Sequence, residues 1–209
     1  MKISTKLVVL FGLLVSSISA NAVENTTTVG LSSDYFWRGV SQTANSHPVL
    51  SIGTEFSTES GFYVGVWGSE VDFVDNEASI EYDFYGGYNL FLSENISVGL
   101  GAIRYSYDQD IDYADEVFVT ASYRMLEVAY YQNPDDVDAD YLSVTAAIPG
   151  VSVVDVALQY GQFGDGTDHK GVTISKSLTD KVDVSLMVRS SVRSNQFWDN
   201  ASASISYTF

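Results

Sequence analysis

The sequence contains no cysteine, which excludes a disulfide framework, a thiolate metal site and a cysteine nucleophile. Basic residues are scarce: 10 lysines and arginines stand against 27 acidic residues, a formal net charge of −17. Phosphate binding needs a basic surface, so we expect no nucleic-acid partner. A surplus of acid can also serve solubility alone, and the charge by itself therefore names no function.

Residues 1–22 have the features of a cleaved signal peptide. Two lysines precede the apolar run 7–15, and Ala20 and Ala22 are the small residues that signal peptidase recognises. The run has nine residues, far fewer than the ~20 that a membrane-spanning helix needs, so a retained anchor helix is disfavoured. Cleavage after Ala22 leaves residues 23–209, a length typical of one domain.

After the leader the chain lacks long apolar runs and helical periodicity, and alternation takes their place. In the last segment one face is mostly apolar and the other is polar. The first face carries Phe197, Asp199, Ala201, Ala203, Ile205, Tyr207 and Phe209, and the second carries Asn200, Ser202, Ser204, Ser206 and Thr208. Successive side chains of a strand point to opposite faces, so this pattern predicts a β-strand with one apolar face.

Three features favour a membrane barrel over a soluble sandwich. Charged residues stand at mid-strand on the polar faces (Glu81, Asp83, Glu127, Asp155 and Arg189), and a packed core could not bury them cheaply. The segments are roughly 9–12 residues long, as tilted membrane strands are. Short and long connections alternate, as they do in outer-membrane barrels.

We predict an all-β fold, a single transmembrane antiparallel up-and-down β-barrel of about twelve strands. Ten strands remain possible if the weak segments within 116–133 are misassigned. An even number puts both termini on one side, which we expect to be periplasmic. The predicted strands are 26–38, 49–57, 62–71, 79–91, 96–107, 116–123, 126–133, 141–149, 152–163, 170–178, 182–190 and 197–209.

The chain ends at Phe209, with Tyr207 and Ile205 on the same face. This ending resembles the C-terminal signature of bacterial outer-membrane barrels. The resemblance implies that the barrel-assembly machinery is a partner of the chain and that the bacterial outer membrane of a Gram-negative-type cell is its location. Outer-membrane lipids and lipopolysaccharide are then expected partners as well.

A second resemblance lies near the mature N-terminus. An SDY-x-x-RG-x-SQT motif is formed by Ser33, Asp34, Tyr35, Arg38, Gly39, Ser41, Gln42 and Thr43, and Pro48 follows it. The motif resembles the opening of the TorF porin family. That resemblance implies an outer-membrane protein with a transport role and no catalytic residues.

The first predicted strand places charges inside the barrel. If Tyr35 and Trp37 face lipid, Asp34 and Arg38 face inward, and Arg189 also faces inward two strands away. We predict a ladder of ion pairs that lines the pore, in which Arg38 and Arg189 pair with Asp34, Glu55, Glu81 or Asp83. The alternative is a salt-bridged core that merely fills the barrel.

The long loops carry many acids, and Asp108, Asp110 and Asp112 are weak candidates for divalent-cation binding. They begin like an EF-hand loop, but Tyr113 stands where that loop needs glycine. We therefore assign no metal site and no cofactor. A vestibule that attracts cations is the favoured interpretation of the loops.

An esterase-type enzyme would need a serine beside a histidine and an orienting group. The sequence has only His47 and His169, both in predicted loops, and no serine lies in a nucleophile-like context. We therefore expect no enzyme, and a barrel lipid hydrolase is the least favoured function. The favoured function is a narrow, cation-biased channel for passive diffusion of small hydrophilic solutes. A non-conducting structural or adhesive barrel that presents acidic loops is the alternative.

Overall fold

The computed structural model describes residues 23–43, 47–73, 77–109, 113–149, 153–190 and 200–209. The predicted signal peptide, residues 1–22, lies outside the described residues, so its cleavage remains a prediction. The described residues contain no helix with the length and apolar character of a membrane span.

Twelve long strands form the barrel wall, and two short strands lie between the first wall strand and the second. The wall strands are β1 (Val23–Ser32), β4 (Val49–Thr58), β5 (Phe62–Glu70), β6 (Ile80–Ser93), β7 (Ile96–Tyr107), β8 (Ala114–Tyr123), β9 (Leu126–Gln132), β10 (Tyr141–Ile148), β11 (Asp155–Phe163), β12 (Asp168–Ser177), β13 (Val182–Arg189) and β14 (Asn200–Thr208). The short strands are β2 (Phe36–Trp37) and β3 (Val40–Ser41), and a 3-10 helix covers Val137–Ala139.

Each wall strand pairs antiparallel with its neighbour, and β1 closes the barrel against β14. At the closure Leu31 lies opposite Ile205 of β14 and Leu50 of β4, so the apolar positions predicted for the last strand continue around the seam. The prediction of a closed twelve-stranded antiparallel barrel is confirmed, and the ten-stranded alternative is wrong.

The connections differ in length at the two ends of the barrel. One end, here the turn end, has connections such as 59–61, 94–95 and 124–125, and the other end, here the loop end, carries longer ones such as 71–79 and 133–140. The two-residue turn predicted at 150–151 lies outside the described residues, between β10, which ends at Ile148, and β11, which begins at Asp155. The amide of Phe209 donates to the Thr27 carbonyl at 2.9 Å, so the first and last strands meet at the turn end.

The barrel is apolar outside and polar inside. Outward positions carry large exposed apolar side chains, among them Leu100 (60 % exposed) and Val119 (47 %). Glu81 is only 2 % exposed and Glu116 only 3 %, and both point into the barrel. Twelve described polar or charged residues are buried, against six hydrophobic ones, the reverse of a soluble core. This distribution is what a wall between hydrocarbon and a polar interior requires.

The first wall strand is shorter than predicted. We expected a strand over 26–38, but β1 ends at Ser32 and the chain turns into the barrel. Tyr35 and Trp37 therefore do not face lipid: the Tyr35 ring packs against Trp67, and the Trp37 ring against Tyr105. The alternation of apolar residues does continue past Ser32, which is why the sequence pattern alone predicts a longer strand.

Candidate functional site

Residues 33–43, here called the inner hairpin, form the main feature of the barrel interior. β2 and β3 pair with each other through Phe36–Ser41 and Trp37–Val40, and Arg38 and Gly39 form the two-residue turn between them. Both turn residues have positive φ angles, 46° and 82°. Two successive residues of that kind are what a type I′ hairpin turn requires, and a Gly at the second position is the usual way to meet it.

Asp34 ties the start of the inner hairpin to its end. Its carboxylate accepts hydrogen bonds from the hydroxyls of Ser41 (2.8 Å) and Thr43. Its carbonyl accepts a hydrogen bond from the Ser202 hydroxyl of β14 at 2.7 Å. At the exit, the amide of Asp72 donates to the Gln42 carbonyl at 2.8 Å. The hairpin is thus fixed to the wall on two sides of the barrel.

Arg38, at the tip of the inner hairpin, forms a bidentate ion pair with Glu116 of β8. Its two terminal nitrogens lie 2.7 and 2.6 Å from the two carboxylate oxygens, and the side chains are 7 % and 3 % exposed. The Tyr105 hydroxyl donates to the same carboxylate at 3.0 Å. Planar, two-point pairing of this kind is the strongest form of side-chain ion pair.

Aromatic rings enclose the Arg38 guanidinium. It lies 4.5 Å from the ring centres of Trp37 and Tyr131 and 4.3 Å from that of Tyr141. A cation over the face of an aromatic ring is attracted by it, and more so where water is excluded. These contacts add β9 and β10 to the strands that hold the hairpin tip.

Gly39 packs directly on His169 of β12. A Cβ atom at Gly39 would lie 2.7 Å from Cγ of His169, so the glycine is required by contact as well as by its φ angle. His169 is completely buried, and its Nε2 atom hydrogen-bonds the Tyr141 hydroxyl at 2.7 Å. The inner hairpin therefore crosses the barrel interior from β14 to β8 and β12, and narrows it.

Replacing Gly39 with valine should unseat the inner hairpin, because the new side chain collides with His169 and needs a strained φ angle. We expect added trypsin to cleave after Arg38 in the variant and not in the wild-type barrel, as judged by mass spectrometry. Gly166→Val is the matched control, since its φ is 88° but nothing lies within 4 Å of its Cβ position. Equal protection of Arg38 in all three proteins would contradict the packing described.

Two carboxylic acids of β6 lie beside the inner hairpin. Glu81 and Asp83 are 2 % and 5 % exposed, and the Tyr35 hydroxyl donates to Glu81 at 3.5 Å. Oδ1 of Asp83 has no hydrogen-bond partner among the described residues. No lysine or arginine nitrogen of the described chain lies within 4 Å of either group, so these acids are not paired as the ladder predicted.

Arg189, the last residue of β13, is a second buried arginine, 7 % exposed. Its Nε atom contacts the sulfur of Met187 at 2.6 Å, and its guanidinium lies 5.8 Å from the Phe36 ring centre. Within the described ranges no carboxylate lies within 4 Å of it, and its two terminal nitrogens donate no hydrogen bond.

On the turn side of the inner hairpin the barrel interior contains an open cavity of about 380 Å³. Arg38 and Arg189 reach it from the loop side, and tyrosine and phenylalanine rings form much of its wall. Nearer the turn end most inward wall positions are small and polar, and five of them are acidic: Glu24, Glu55, Glu127, Asp155 and Asp183. At the inward wall positions of that half, the described strands carry no basic residue.

All six residues predicted to line a pore have their side chains inside the barrel: Asp34, Arg38, Glu55, Glu81, Asp83 and Arg189. The predicted pairing is wrong, because Arg38 pairs with Glu116 and not with any of the predicted acids. Glu116 stands at the start of the predicted strand 116–123 and is not among the predicted pore-lining residues. Its alternation with outward Val117 and Val119 is the signal that could have placed it on the inner face of β8.

The candidate cation ligands are described in part. Asp108 accepts hydrogen bonds from the Ser79 hydroxyl and amide, and these hold the pKa of its carboxyl below the ordinary value. Asp110 and Asp112 lie outside the described residues, so cation binding there remains a prediction. Within the described ranges no three histidine, aspartate or glutamate side chains are grouped as metal ligands.

The two histidines do not form a hydrolase site with a serine in the described part of the chain. His169 bonds Tyr141, as above, and is part of a wall strand rather than a loop. His47 lies 3.6 Å from Asp72 at the loop end, where both are half-exposed.

A family model described as "Bacterial protein of unknown function (Gcw_chp)" matches residues 17–180. No curated protein matches the sequence. The match does not carry the TorF name, so the resemblance of the 33–43 motif to that family remains a prediction.

Several solved structures share the architecture. A KdgM porin in complex with disordered oligogalacturonate has a TM-score of 0.60 and 8 % identity, covering 89 % of this chain and 99 % of the porin. A second KdgM porin structure has a TM-score of 0.58, 11 % identity and the same coverage. Outer membrane phospholipase A from Escherichia coli has a TM-score of 0.47 and 10 % identity, covering 88 % of this chain and 94 % of the phospholipase. At these identities the KdgM likeness shows a common fold.

Proposed function

Because the chain belongs to the Gcw_chp family of bacterial proteins and folds as a closed twelve-stranded barrel, we propose that it is an outer-membrane channel for passive diffusion of small hydrophilic solutes. The single observation that carries the proposal is the inverted polarity of the wall, in which buried Glu81, Asp83 and Glu116 face the interior while Leu100 and Val119 face outward. Porin-type barrels have this distribution.

The channel is narrow because the inner hairpin occupies its loop half. Barrels of 16–18 strands leave an open aqueous channel, whereas twelve strands enclose less space, and here part of it is filled. The cavity of about 380 Å³ below the hairpin limits solutes to small molecules.

The channel is biased towards cations. The turn-end vestibule is lined by Glu55, Glu127, Asp155 and Asp183. Of the two buried arginines in the described interior, Arg38 is neutralised by Glu116, which leaves Arg189 as the single cation against these carboxylates. Carboxylates around a narrow mouth raise the local concentration of cations and lower that of anions.

The remaining assignments follow from the membrane location. We propose that the turn end, where the two termini meet, is periplasmic. We also propose export by a cleaved leader, recognition of Phe209 by the barrel-assembly machinery, and contact with lipids and lipopolysaccharide, which the outward apolar band supports. We assign no catalytic activity, because the KdgM likeness concerns a porin and the geometry offers no nucleophile–base pair in the described residues.

The refolded protein in a planar lipid bilayer is expected to give small, reproducible conductance steps that are cation-selective in a salt gradient, because the vestibule is acidic. Reversal potentials in potassium chloride measure this directly. Replacing Glu127 and Asp183 together with glutamine and asparagine should reduce the selectivity. A folded barrel that gives no steps would contradict the channel and favour the alternative, a non-conducting structural or adhesive barrel that presents acidic loops.

A further inference from the structure

We propose that the cavity on the turn side of the inner hairpin is a binding site for a monocarboxylate solute whose ring has an apolar face, and that Arg189 binds the carboxylate. The inference deepens the proposed channel function and depends on it only for access of the solute to the cavity. It starts from one anomaly: of the two buried arginines in the described interior, Arg38 has a carboxylate partner and Arg189 has none.

A buried charge without a partner is costly, so the state of Arg189 needs a physical reason. The Arg189 guanidinium contacts the sulfur of Met187 and lies 5.8 Å from the ring centre of Phe36. These two contacts compensate for little of the hydration that the guanidinium loses on burial. Its two terminal nitrogens donate no hydrogen bond among the described residues, and Arg189 lines the cavity. Guanidinium groups bind carboxylates at two points, so the missing partner is best supplied by an anionic ligand.

The strand register leaves space for such a ligand next to Arg189. Gly171 of β12 lies between Gln159 of β11 and Arg189 of β13, directly opposite both. A Cβ at Gly171 would touch Cγ of Arg189 at 3.4 Å, so the absence of a side chain lets the arginine extend over the wall. Gln159 and Ser143 also line the cavity and offer neutral hydrogen-bonding groups beside the guanidinium.

The opposite wall of the cavity is aromatic. Tyr63, Tyr85, Phe118 and Tyr131 line it, and their rings offer flat apolar faces with hydroxyl groups at three of the four edges. Pockets of a few hundred cubic ångströms with apolar walls and a few convergent polar groups are typical small-molecule sites. An aromatic ring, or the C–H face of a pyranose ring, packs on such a wall, so an aromatic acid and a sugar acid share this chemistry.

The acidic vestibule determines which carboxylates can use the site. A molecule with several negative charges is repelled by Glu55 and its neighbours at the turn end, whereas one with a single carboxylate is repelled far less. The site therefore fits a monocarboxylate and disfavours polyanions, and it is compatible with an overall cation bias.

The test is a binding titration of the folded protein in detergent micelles, in which calorimetry measures the heat of binding. Glucuronate and benzoate are the probes, and glucose is the neutral counterpart of glucuronate. We expect at least one of the two acids to bind, and we expect glucose to bind at least tenfold more weakly than that acid. Arg189→Gln should weaken acid binding by about tenfold or more. Binding of glucuronate alone identifies sugar acids as the source, and binding of benzoate alone identifies aromatic acids.

Arg124→Gln is the matched control, because it removes the same group at a turn between β8 and β9, away from the cavity. If Arg189→Gln does not fold, Arg189→Lys keeps the charge but loses two-point pairing, and it should bind more weakly than wild type. Equal binding of glucose and the acids, equal binding by wild type and Arg189→Gln, or no binding of either acid overturns the site. Channel conductance without acid binding would overturn the binding site but not the channel function. Acid binding by a barrel that gives no conductance would overturn the channel function but not the binding site.

Discussion

Replacing Arg38 with alanine is expected to open the barrel and raise its single-channel conductance several-fold. The variant loses both hydrogen bonds to Glu116 and leaves that buried carboxylate without a positive partner, so that only the hydrogen bond from the Tyr105 hydroxyl remains. Removing one member of a buried ion pair typically costs ~3–5 kcal/mol, and ~1.4 kcal/mol corresponds to a factor of ten. The equilibrium between the packed and the displaced hairpin should therefore shift by roughly a hundredfold to a few thousandfold. Planar-bilayer recordings measure the step size.

Two control variants make the result specific to the inner hairpin. Arg38→Ala/Glu116→Ala removes the unpaired carboxylate as well, so its stability should exceed that of Arg38→Ala alone. Arg104→Ala breaks an ion pair with Asp115 that has the same 2.6 Å contact but lies on the outer face, about 30 % exposed. Exposed pairs contribute little, so Arg104→Ala should conduct like wild type. Unchanged steps in Arg38→Ala would show that the hairpin tip does not restrict the channel.

Val119→Arg is expected to destabilise the barrel strongly in a lipid bilayer, whereas Thr120→Arg is not. Val119 is outward, 47 % exposed and halfway along β8, and an arginine there at the bilayer midplane costs ~2–4 kcal/mol. Thr120 points inward, and its cross-strand neighbours Gly99 and Ala129 are small enough to leave room for the longer side chain. Urea unfolding in phospholipid vesicles gives both free energies.

The comparison of the two variants tests the orientation of the whole wall. Position 119 and position 120 are adjacent, so strand propensity and local environment along the chain are nearly matched, and only the side of the wall differs. If Thr120→Arg were the more destabilising change, the hydrocarbon would be inside and the polar face outside, and the channel proposal would fail with it.

Some features of the site could be predicted from single strands. Arg189 shares the polar face of its strand with Ser185 and Met187, which stand at every second position before it. Glu81 and Asp83 share a face in the same way, so Arg189 and Glu81 both lie inside the barrel as expected. The inner hairpin could not be predicted in this way. Apolar residues continue to alternate beyond Ser32, and only the Arg38-Gly39 pair marks the turn that ends the pattern.

The sequence by itself determined the wall of this protein, and only the tertiary structure decided the interior. The wall follows from a two-residue period and short turns, which are properties of neighbouring residues and can be seen in the chain directly. The constriction depends on contacts between distant residues: Arg38 pairs with Glu116, 78 positions away, and Ser202 bonds Asp34, 168 positions away. Partners of this kind are set by barrel closure, which brings β14 beside β1 and places one short hairpin within reach of β8 and β12. No local pattern contains that information.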